Sequence, residues 1–459
     1  MYINADTQHF IALHRNHDVK QLALAAHNAP NIDLPFALNQ IAGWQKATKK
    51  LPAWADNPNI VYPPHLAMEQ CSSQDTAEYK ADVARMFVNA IPQCRADGMG
   101  KDKTDGEKQA HNKCECTSLV DLTGGFGVDF AFMAARFSSA TYVERQPLLC
   151  QLVQHNLNAL HLGHAKVVCA DAESHLERME KVLCIYLDPA RRDKNGAKTV
   201  LIEHCSPDVL LLLPKLLAKS CLLMVKLSPM LHWQQAIKQM HERGAWVRQM
   251  HIVAVKNECK ELLFLVIDVP KGVVNPSLCA TPNRTHLDAL AESSCLEHGA
   301  AKALTTEIIC YNDGDRFEYA LDEADTTTQS ILQTPPQVGM FLFEPNAAIM
   351  KAGCFGMLCA RFGVQAIAHN SHLFVANDDI PHFPGRRFRL VATTSFNKHD
   401  LKNALKDISQ ANIATRNFPL NADALRKKLK LKDGGPHFLF ATTDEQSRHW
   451  MLKGERVKR

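Results

Sequence analysis

The chain has 459 residues, 46% of them hydrophobic, which indicates a soluble protein of about two to four domains with packed cores. No apolar run approaches the ~20 residues that span a bilayer, so no membrane segment is expected. The formal net charge of +4 is small, and 15 scattered cysteines without an N-terminal secretory signal predict reduced thiols in a cytoplasmic location.

Residues 1–94 have the apolar spacing of helices. His9 to Leu24 and Leu34 to Ala47 are amphipathic stretches, for which Asp6 and Asp33 are the expected N-terminal caps. The sequence therefore predicts a helical N-terminal region.

Residues 72–80 lie just before the linker and carry small polar side chains at helical spacing. The pattern Ser72-Ser73-x-x-Thr76-x-x-Tyr79-Lys80 places Ser73, Thr76 and Lys80 on one helix face. One interpretation is that Thr76 and Lys80 cover a bound ligand. The alternative interpretation is an ordinary helix cap at Ser72 or Ser73.

Residues 95–113 are polar and rich in Gly, Lys and Asp, which predicts a loop or linker. The pair Cys114-x-Cys116 follows, with His111 nearby. No second Cys/His pair with zinc-site spacing accompanies it, so no metal is expected.

The most informative stretch is V-D-L-T-G-G-F-G-V-D, from Val120 to Asp129, between a short apolar strand and a helix-like segment. Gly124, Gly125 and Gly127 allow left-handed backbone and close approach to a ligand. Asp121 precedes these glycines at the strand end, where a carboxylate suits a cationic, zwitterionic ligand such as S-adenosylmethionine. The G-x-G-x-x-G spacing of nicotinamide-binding folds is absent.

Three further acids follow predicted strands in the next sixty residues. Glu144 lies 23 positions after Asp121, where an acid can bind ribose hydroxyls. Asp171 can reach an adenine edge, and Asp188 follows the next strand. Carboxyl ends of parallel strands meet at one edge of the sheet, so these acids are expected to line one site, although each alone could be a solvated strand end.

These motifs resemble those of class I S-adenosylmethionine-dependent methyltransferases, and the whole chain is similar to a group of bacterial candidate methyltransferases with a ferredoxin-like and a THUMP-like domain. The residues that carry the resemblance are 69–73, 76–80, 121–129, 188–192, 344–346 and 416–419. It implies an α/β fold with a Rossmann-like core, a seven-stranded, mostly parallel sheet, followed by two small α+β domains. It also implies a set of cofactor-binding residues: Asp121, Thr123, Gly124, Gly125, Gly127, Glu144, Asp171, Thr76 and Lys80.

The segment Asp188-Pro189-Ala190-Arg191 resembles the start of the D-P-P-Y motif of amino-directed methyltransferases. In that motif the Asp and the following carbonyl accept hydrogen bonds from a planar amino group, and the aromatic residue stacks on the base. Here Asp188, Pro189 and Arg191 are the expected catalytic residues. Arg191 could stack on a base or hold a phosphate; alternatively, Arg191 and Arg192 pair with surface carboxylates.

Two strand regions, residues 221–227 and 252–267, are predicted to close the catalytic sheet, so the methyltransferase domain is placed at 114–270. The second region is interrupted at residues 258–261, as expected for an antiparallel hairpin. Short strands at 307–311 and 316–321 predict a separate small domain over 271–384, which the resemblance implies is ferredoxin-like.

The C-terminal segment, 385–459, contains 17 Lys/Arg against 7 Asp/Glu, a net charge of +10. This asymmetry favours a nucleic-acid partner, with a solvated helix face as the alternative. It predicts an RNA-binding segment whose removal leaves a folded protein, and the resemblance implies that this segment is the THUMP-like domain. The expected RNA-binding residues are Arg386, Arg387, Arg416, Arg426, Lys427 and Lys428.

The sequence thus predicts an S-adenosylmethionine-dependent methyltransferase of structured RNA, tRNA or rRNA, acting at a base nitrogen. The alternative is a methyltransferase of a small molecule or protein, with the extra domains serving assembly. A non-catalytic RNA-binding protein is disfavoured by the retained acids. The methylated atom and the oligomeric state stay open.

Overall fold

The computed structural model describes residues 3–25, 31–96, 117–191, 201–268, 305–406 and 408–458. Cys114, Cys116, His111 and Arg192 lie outside these residues, as does the predicted linker beyond Ala96. The chain forms two compact units, Met1–Arg248 with Leu262–Leu304, and Gln249–Glu261 with Thr305–Arg459. Among the described residues, no helix has the length and hydropathy to cross a bilayer, and no cluster of three His, Cys, Asp or Glu side chains could hold a metal ion.

The first unit begins with six helices: α1 Ala5–His14, α2 Val19–Ala25, α3 Leu34–Lys50, α4 Pro52–Ala55, α5 His65–Gln70 and α6 Gln74–Ala96. Asp33 caps α3 as expected. The helix expected from His9 to Leu24 is instead two helices, because Asp18 accepts a hydrogen bond from Gln21 N and starts a new one. The cap of α1 is Asn4 rather than Asp6.

The larger sheet alternates strands and helices, and its residues 249–261 belong to the second unit. Its elements are β1 Ser118–Asp121, α7 Val128–Ala134, β2 Ser139–Glu144, α8 Pro147–Ala159, β3 Ala165–Cys169, α9 Ala172–Arg178, β4 Val182–Leu187, β5 Ala190–Arg191, β6 Cys205–Ser206, α10 Val209–Lys219, β7 Ser220–Leu227, α11 Trp233–Glu242, β8 Ala245–Val255 and β9 Glu258–Asp268. The strands β3, β2, β1, β4 and β7 are parallel, and β9 runs antiparallel to β7.

The strand order is β3-β2-β1-β4-β7-β9-β8, with the polar loops at the carboxyl edge of the parallel strands. The predicted α/β core with a mostly parallel sheet is therefore confirmed. Two further strands, β10 Glu307–Asn312 and β11 Asp315–Ala320, extend the sheet to nine. β10 pairs in parallel with β8, so these strands join this sheet instead of the expected ferredoxin-like domain. Their apolar pattern indicated strands but could not identify the partner strand.

The helical region and the sheet share one hydrophobic core. Ala77, Ala81 and Ala84 of α6 are almost fully buried and pack in the same cluster as Phe130 and Met133 of α7. Small side chains on α6 allow the two helices to approach closely. This packing holds residues 72–80 directly against the first turn of α7, beside the glycine-rich loop.

The second unit continues with α12 Leu321–Thr326, β12 Phe341–Pro345, α13 Ala347–Ala352, α14 Phe355–Phe362, β13 Gln365–Ala366, β14 Phe374–Ala376, β15 Gly385–Ser395, α15 Lys398–Ala404, β16 Gln410–Arg416, α16 Ala422–Leu429, β17 Lys432–Thr443 and β18 His449–Arg456. Its seven-stranded sheet has the order β13-β14-β12-β15-β18-β17-β16. Residues on both sides of position 385 therefore belong to one sheet.

The expectation that removal of 385–459 leaves a folded protein is wrong for the second unit. β12 pairs with β15 along its whole length. Leu342 and Ile367 share a buried core with Phe388 and Phe440. Truncation at residue 385 would expose that core and leave β12 paired on one side only, with β14. Charge substitutions are the appropriate test of this segment.

Candidate active site

The glycine-rich loop between β1 and α7 has the geometry that its sequence requires. Gly125 and Gly127 have φ of +53° and +77°, the left-handed region that favours glycine. Gly124 needs no such φ, but a Cβ there would lie 2.1 Å from the ring of Tyr142. The Tyr142 hydroxyl donates to Gly125 O at 2.5 Å, so the ring both excludes a side chain and fixes the loop.

Asp121 lies at the start of this loop and is 2% exposed. Its Oδ1 accepts hydrogen bonds from Thr123 N at 2.9 Å and Thr123 Oγ1 at 3.4 Å. Burial raises the pKa of Asp121 to about 8, against the opposing effect of the Thr123 hydrogen bonds. The carboxyl group is therefore mostly protonated at neutral pH until a cation approaches it.

Glu144 ends β2 and holds the loop from the other side. Its Oε2 accepts a hydrogen bond from Gly125 N at 3.1 Å, and its Oε1 accepts one from Gln146 N at 2.9 Å. Glu144 therefore orders the glycine turn beside Asp121, and the predicted ribose contact would be an additional role.

Asp171 follows β3 and is the N-terminal cap of α9. Its Oδ1 accepts a hydrogen bond from Ser174 N at 2.8 Å, and this bond lowers the pKa of the exposed carboxyl group. The contacts of Asp171 thus fit the alternative of a solvated acid at a strand end, which here caps the following helix. Its predicted role at the adenine edge stays a prediction.

Asp188 follows β4, and two contacts fix it. Its N–H donates to Thr123 Oγ1 at 2.6 Å, which links it to the loop that carries Asp121. Its Oδ2 accepts from Lys226 Nζ at 2.5 Å. Pro189 is buried. The backbone of Arg191 pairs with Cys205, and its side chain lies outside the described part of the structure.

A buried polar cluster lies beneath this site. Lys80 is completely buried, with Nζ 3.3 Å from Asp129 Oδ1. Asp129 Oδ2 accepts hydrogen bonds from Ser72 Oγ at 2.9 Å and from the Tyr186 hydroxyl at 2.7 Å. Burial opposes ionisation of Asp129, but Lys80 and these hydrogen bonds together hold its pKa below the usual range. The cluster fixes α6 against α7.

The contacts of Thr76 and Lys80 are therefore structural. The Thr76 N–H donates to Ser73 Oγ at 3.4 Å, as the helix-cap alternative predicts, and Thr76 Oγ1 donates to Ser73 O at 3.1 Å. The cofactor contacts expected of Thr76 and Lys80 stay predictions. Asp129 and Lys226 were missed by the sequence reasoning, although Asp129 closes the loop motif and Lys226 lies at the end of a parallel strand.

Most arginines of the expected RNA-binding set form internal ion pairs. Glu344, 3% exposed, binds both Arg386 and Arg416. Arg387 binds Asp379 at 2.5 Å, and Arg426 pairs at 2.6 Å with each of two carboxylates, Asp423 and Asp433. These ion pairs largely compensate the charges of the four arginines. Glu344 is distant in sequence from Arg386 and Arg416, whereas the partners of Arg387 and Arg426 lie within eight positions of them.

Other cationic side chains of the second unit are exposed to solvent. Lys427 and Lys428 are exposed on α16, as expected. A cavity of about 380 Å³ near the ends of β15 and β18 is lined by Arg386, Arg387 and two exposed cations, Arg456 and Lys458. Arg456 and Lys458 were not among the expected RNA-binding residues, although residues 453–459 contain four basic residues.

Comparison with known proteins supports this architecture. Residues 341–384 match a ferredoxin-like domain, and residues 385–456 match the THUMP domain-like family. A candidate methyltransferase from Porphyromonas gingivalis W83 has a similar structure over 100% of both chains, with a TM-score of 0.76 and 24% identity. No curated protein matches the sequence.

Two partial structural matches were also found. A candidate RNA methyltransferase from Pyrococcus horikoshii covers 48% of this chain and 98% of its own, with 14% identity and a TM-score of 0.34. A candidate methyltransferase from Streptococcus mutans, solved with S-adenosylhomocysteine, covers 33% and 89%, with 11% identity and a TM-score of 0.27. The full-length match, the strand order and the two matched families show that the chain has a class I methyltransferase fold followed by ferredoxin-like and THUMP-like domains.

Proposed function

We propose that this protein is an S-adenosylmethionine-dependent methyltransferase that acts on structured RNA, tRNA or rRNA, at a base nitrogen. The observation that carries the proposal is the hydrogen-bonded chain at the carboxyl edge of the sheet. Thr123 joins the buried Asp121 of the glycine loop to Asp188, the expected acceptor residue. Thr123 thereby connects a cofactor-type loop with a methyl-acceptor motif.

The residues around the loop fit this cofactor. A buried, protonated Asp121 gains an ionic partner when the cofactor's ammonium group binds, and Glu144 and Asp171 remain available as acceptors for ribose and adenine. Left-handed glycines let the backbone approach the ligand. When bound, S-adenosylmethionine supplies a reactive methyl group on a sulfonium centre.

The protein's contribution to the reaction is orientation of the acceptor. The Asp188 carboxylate and the carbonyl of Pro189 accept hydrogen bonds from a planar amino group, so that its lone pair is held in line. Arg191 stacks on the base or holds a neighbouring phosphate. Because this motif lacks an aromatic residue, we assign to Arg191 the contact with the base or with its neighbouring phosphate.

RNA binding is assigned to the C-terminal segment, within the proposed arrangement of a helical region (1–94), linker (95–113), methyltransferase domain (114–270), ferredoxin-like domain (271–384) and THUMP-like domain (385–459). The exposed Lys427, Lys428, Arg456 and Lys458 are the main phosphate-binding candidates. One competing function is methyl transfer to a small molecule or a protein, with the basic domain of this enzyme serving only as a solvated surface. The internal ion pairs of the arginines favour this function, because paired arginines are less available to RNA. The proposal places the enzyme in the cytoplasm.

Replacement of Glu144 by Ala is expected to weaken cofactor binding by about 1–3 kcal/mol, because hydrogen bonds to the ribose and to Gly125 N are both lost. The native protein should bind S-adenosylmethionine or S-adenosylhomocysteine with a micromolar Kd, about −8 kcal/mol. Calorimetry measures both values. Glu177→Ala, which removes an exposed ion-paired acid, is the matched control and should leave the Kd unchanged. Tight binding of a nicotinamide dinucleotide instead would contradict the assignment.

Cofactor binding near pH 6.5 is expected to release about one proton from Asp121. The pKa of this carboxyl group is about 8 without a ligand, so it is protonated at pH 6.5, and an ammonium partner favours its ionised form. Titrations in buffers of different ionisation enthalpy count the released protons. Asp121→Asn should bind more weakly and release none; equal proton release from this variant would assign the proton to another group.

The proposed function is tested by mass spectrometry of modified nucleosides from cells with and without the protein. A methylated nucleoside missing from the deletion strain should reappear when purified enzyme and S-adenosylmethionine are added to that strain's RNA. An unchanged nucleoside profile, together with transfer to a protein or small-molecule fraction, would favour the competing function.

A further inference from the structure

The register of two neighbouring strands places Lys226 beside Asp188. β4 and β7 are parallel, and Tyr186 pairs with Met224. Two residues further along, Asp188 and Lys226 follow on the same face, because side chains alternate in direction along a strand. Their charged groups meet at 2.5 Å between Lys226 Nζ and Asp188 Oδ2.

Lys226 is largely buried, whereas Asp188 is partly open. Their side chains are 14% and 38% exposed, respectively. A buried ammonium group is costly unless a carboxylate accepts its hydrogen bonds, so this pairing is strongly favoured. Asp129 and Asp188 both lie near enough to Asp121 for like-charge interactions, and Lys226 also interacts favourably with Asp129.

The pair leaves one side of the Asp188 carboxylate available. Lys226 binds Oδ2, and Thr123 Oγ1 holds the main-chain N–H at 2.6 Å. Within the described part of the chain, Oδ1 has no hydrogen-bond partner. Asp188 is thus held through its main-chain N–H and through Oδ2, and Oδ1 remains to accept a hydrogen bond.

We propose that Lys226 is a positioning residue for methyl transfer: it locks the Asp188 carboxylate through Oδ2 so that Oδ1 receives the acceptor's N–H group. This inference rests on the proposed function. A carboxylate without this partner would rotate about its side-chain bonds, and a displacement of about 1 Å of the acceptor can cost about 10²-fold in rate. Lys226 itself contacts neither cofactor nor acceptor in this role.

The test compares full-length Lys226→Met and Lys226→Arg with the native protein. The assay measures transfer of labelled methyl groups from S-adenosylmethionine to total RNA from a strain lacking the protein. For Lys226→Met we expect kcat to fall about 10²-fold, whereas the KM for S-adenosylmethionine and the Kd for S-adenosylhomocysteine stay within about threefold. Lys226→Arg keeps a cation that can bind Oδ2, so its kcat should be at least about tenfold higher than that of Lys226→Met. Lys215→Met removes an exposed, ion-paired lysine of the same unit and should have no effect.

Crystal structures of the native protein and Lys226→Met provide a readout that does not depend on activity. The Asp188 carboxylate should keep one rotamer in the native protein and change or split its rotamer in the variant. If Lys226→Met does not fold, Lys226→Gln, which keeps a neutral hydrogen-bond donor, takes its place, with a kcat expected between that of Lys226→Arg and the full loss.

Unchanged kcat, an unmoved Asp188, or a Kd for S-adenosylhomocysteine that weakens as much as kcat would each overturn the assignment. Failure of the native protein to methylate that RNA would instead count against the proposed function. The crystallographic comparison would then still decide whether Lys226 holds Asp188.

Discussion

Asp188→Ala is expected to lower methyl transfer by about 10³-fold or more while the Kd for S-adenosylhomocysteine changes by no more than a few-fold. Asp188 follows β4 and its carboxylate is bound by Lys226 on one side only. Its contact with the cofactor loop is made through its backbone N–H, which an Ala substitution retains. The side chain is therefore separable from cofactor binding, and its loss should affect the acceptor alone.

The control for this substitution must account for the cation that it leaves behind. Asp188→Ala leaves Lys226 largely buried without its carboxylate, which destabilises the fold as well as the reaction. Asp188→Asn keeps an oxygen acceptor for one hydrogen bond and approximately the same volume, so it should fold better and retain part of the activity. Thermal melts of both variants separate lost stability from lost turnover. Full activity in Asp188→Ala would show that the acceptor binds elsewhere.

The strands and the cofactor-type loop could be predicted because their signals are local. An apolar strand, a turn of glycines and a following helix occupy adjacent residues, and Gly125 and Gly127 have the left-handed conformations that this turn requires. The mostly parallel α/β core follows from the repeated strand–helix alternation together with the resemblance to methyltransferases.

The ion pairs could not be predicted because their partners are distant in sequence. Lys226 and Asp188 are 38 positions apart, and Arg416 and Glu344 are 72 apart. Only the strand register and the folding of the second sheet bring these groups together. The same limit explains β10, whose sequence indicated a strand without indicating β8 as its neighbour.

The buried Glu344 also changes the interpretation of the basic segment. The sequence motifs around Glu344 and Arg416 were noticed separately, but the structure joins them in one cluster with Arg386. A carboxylate that is 3% exposed needs such partners, so these arginines are required for folding. The net charge of +10 over 385–459 therefore overstates the charge that is free for RNA.

The largest effect on RNA binding is consequently expected from a fourfold replacement of exposed cations by Gln, at Lys427, Lys428, Arg456 and Lys458. If the native protein makes about six phosphate contacts, the log–log dependence of its affinity on salt should have a slope near −5, and removal of four contacts should reduce it to about −2. Filter binding between ~50 and ~200 mM salt measures both slopes. The RNA affinity at the lower salt concentration should fall sharply.

The matched control removes the same charge from the first unit, by Gln substitutions at the exposed Lys166, Lys181, Lys215 and Lys238. Its slope should remain near the native value, because net charge alone does not release counterions from phosphates that the protein does not contact. All eight positions are at the surface, so neither variant disturbs the buried cluster around Glu344. Equal slopes for the native protein and the C-terminal variant would mean that this basic surface is merely solvated. The competing function, methyl transfer to a small molecule or a protein, would then be the better explanation of the site.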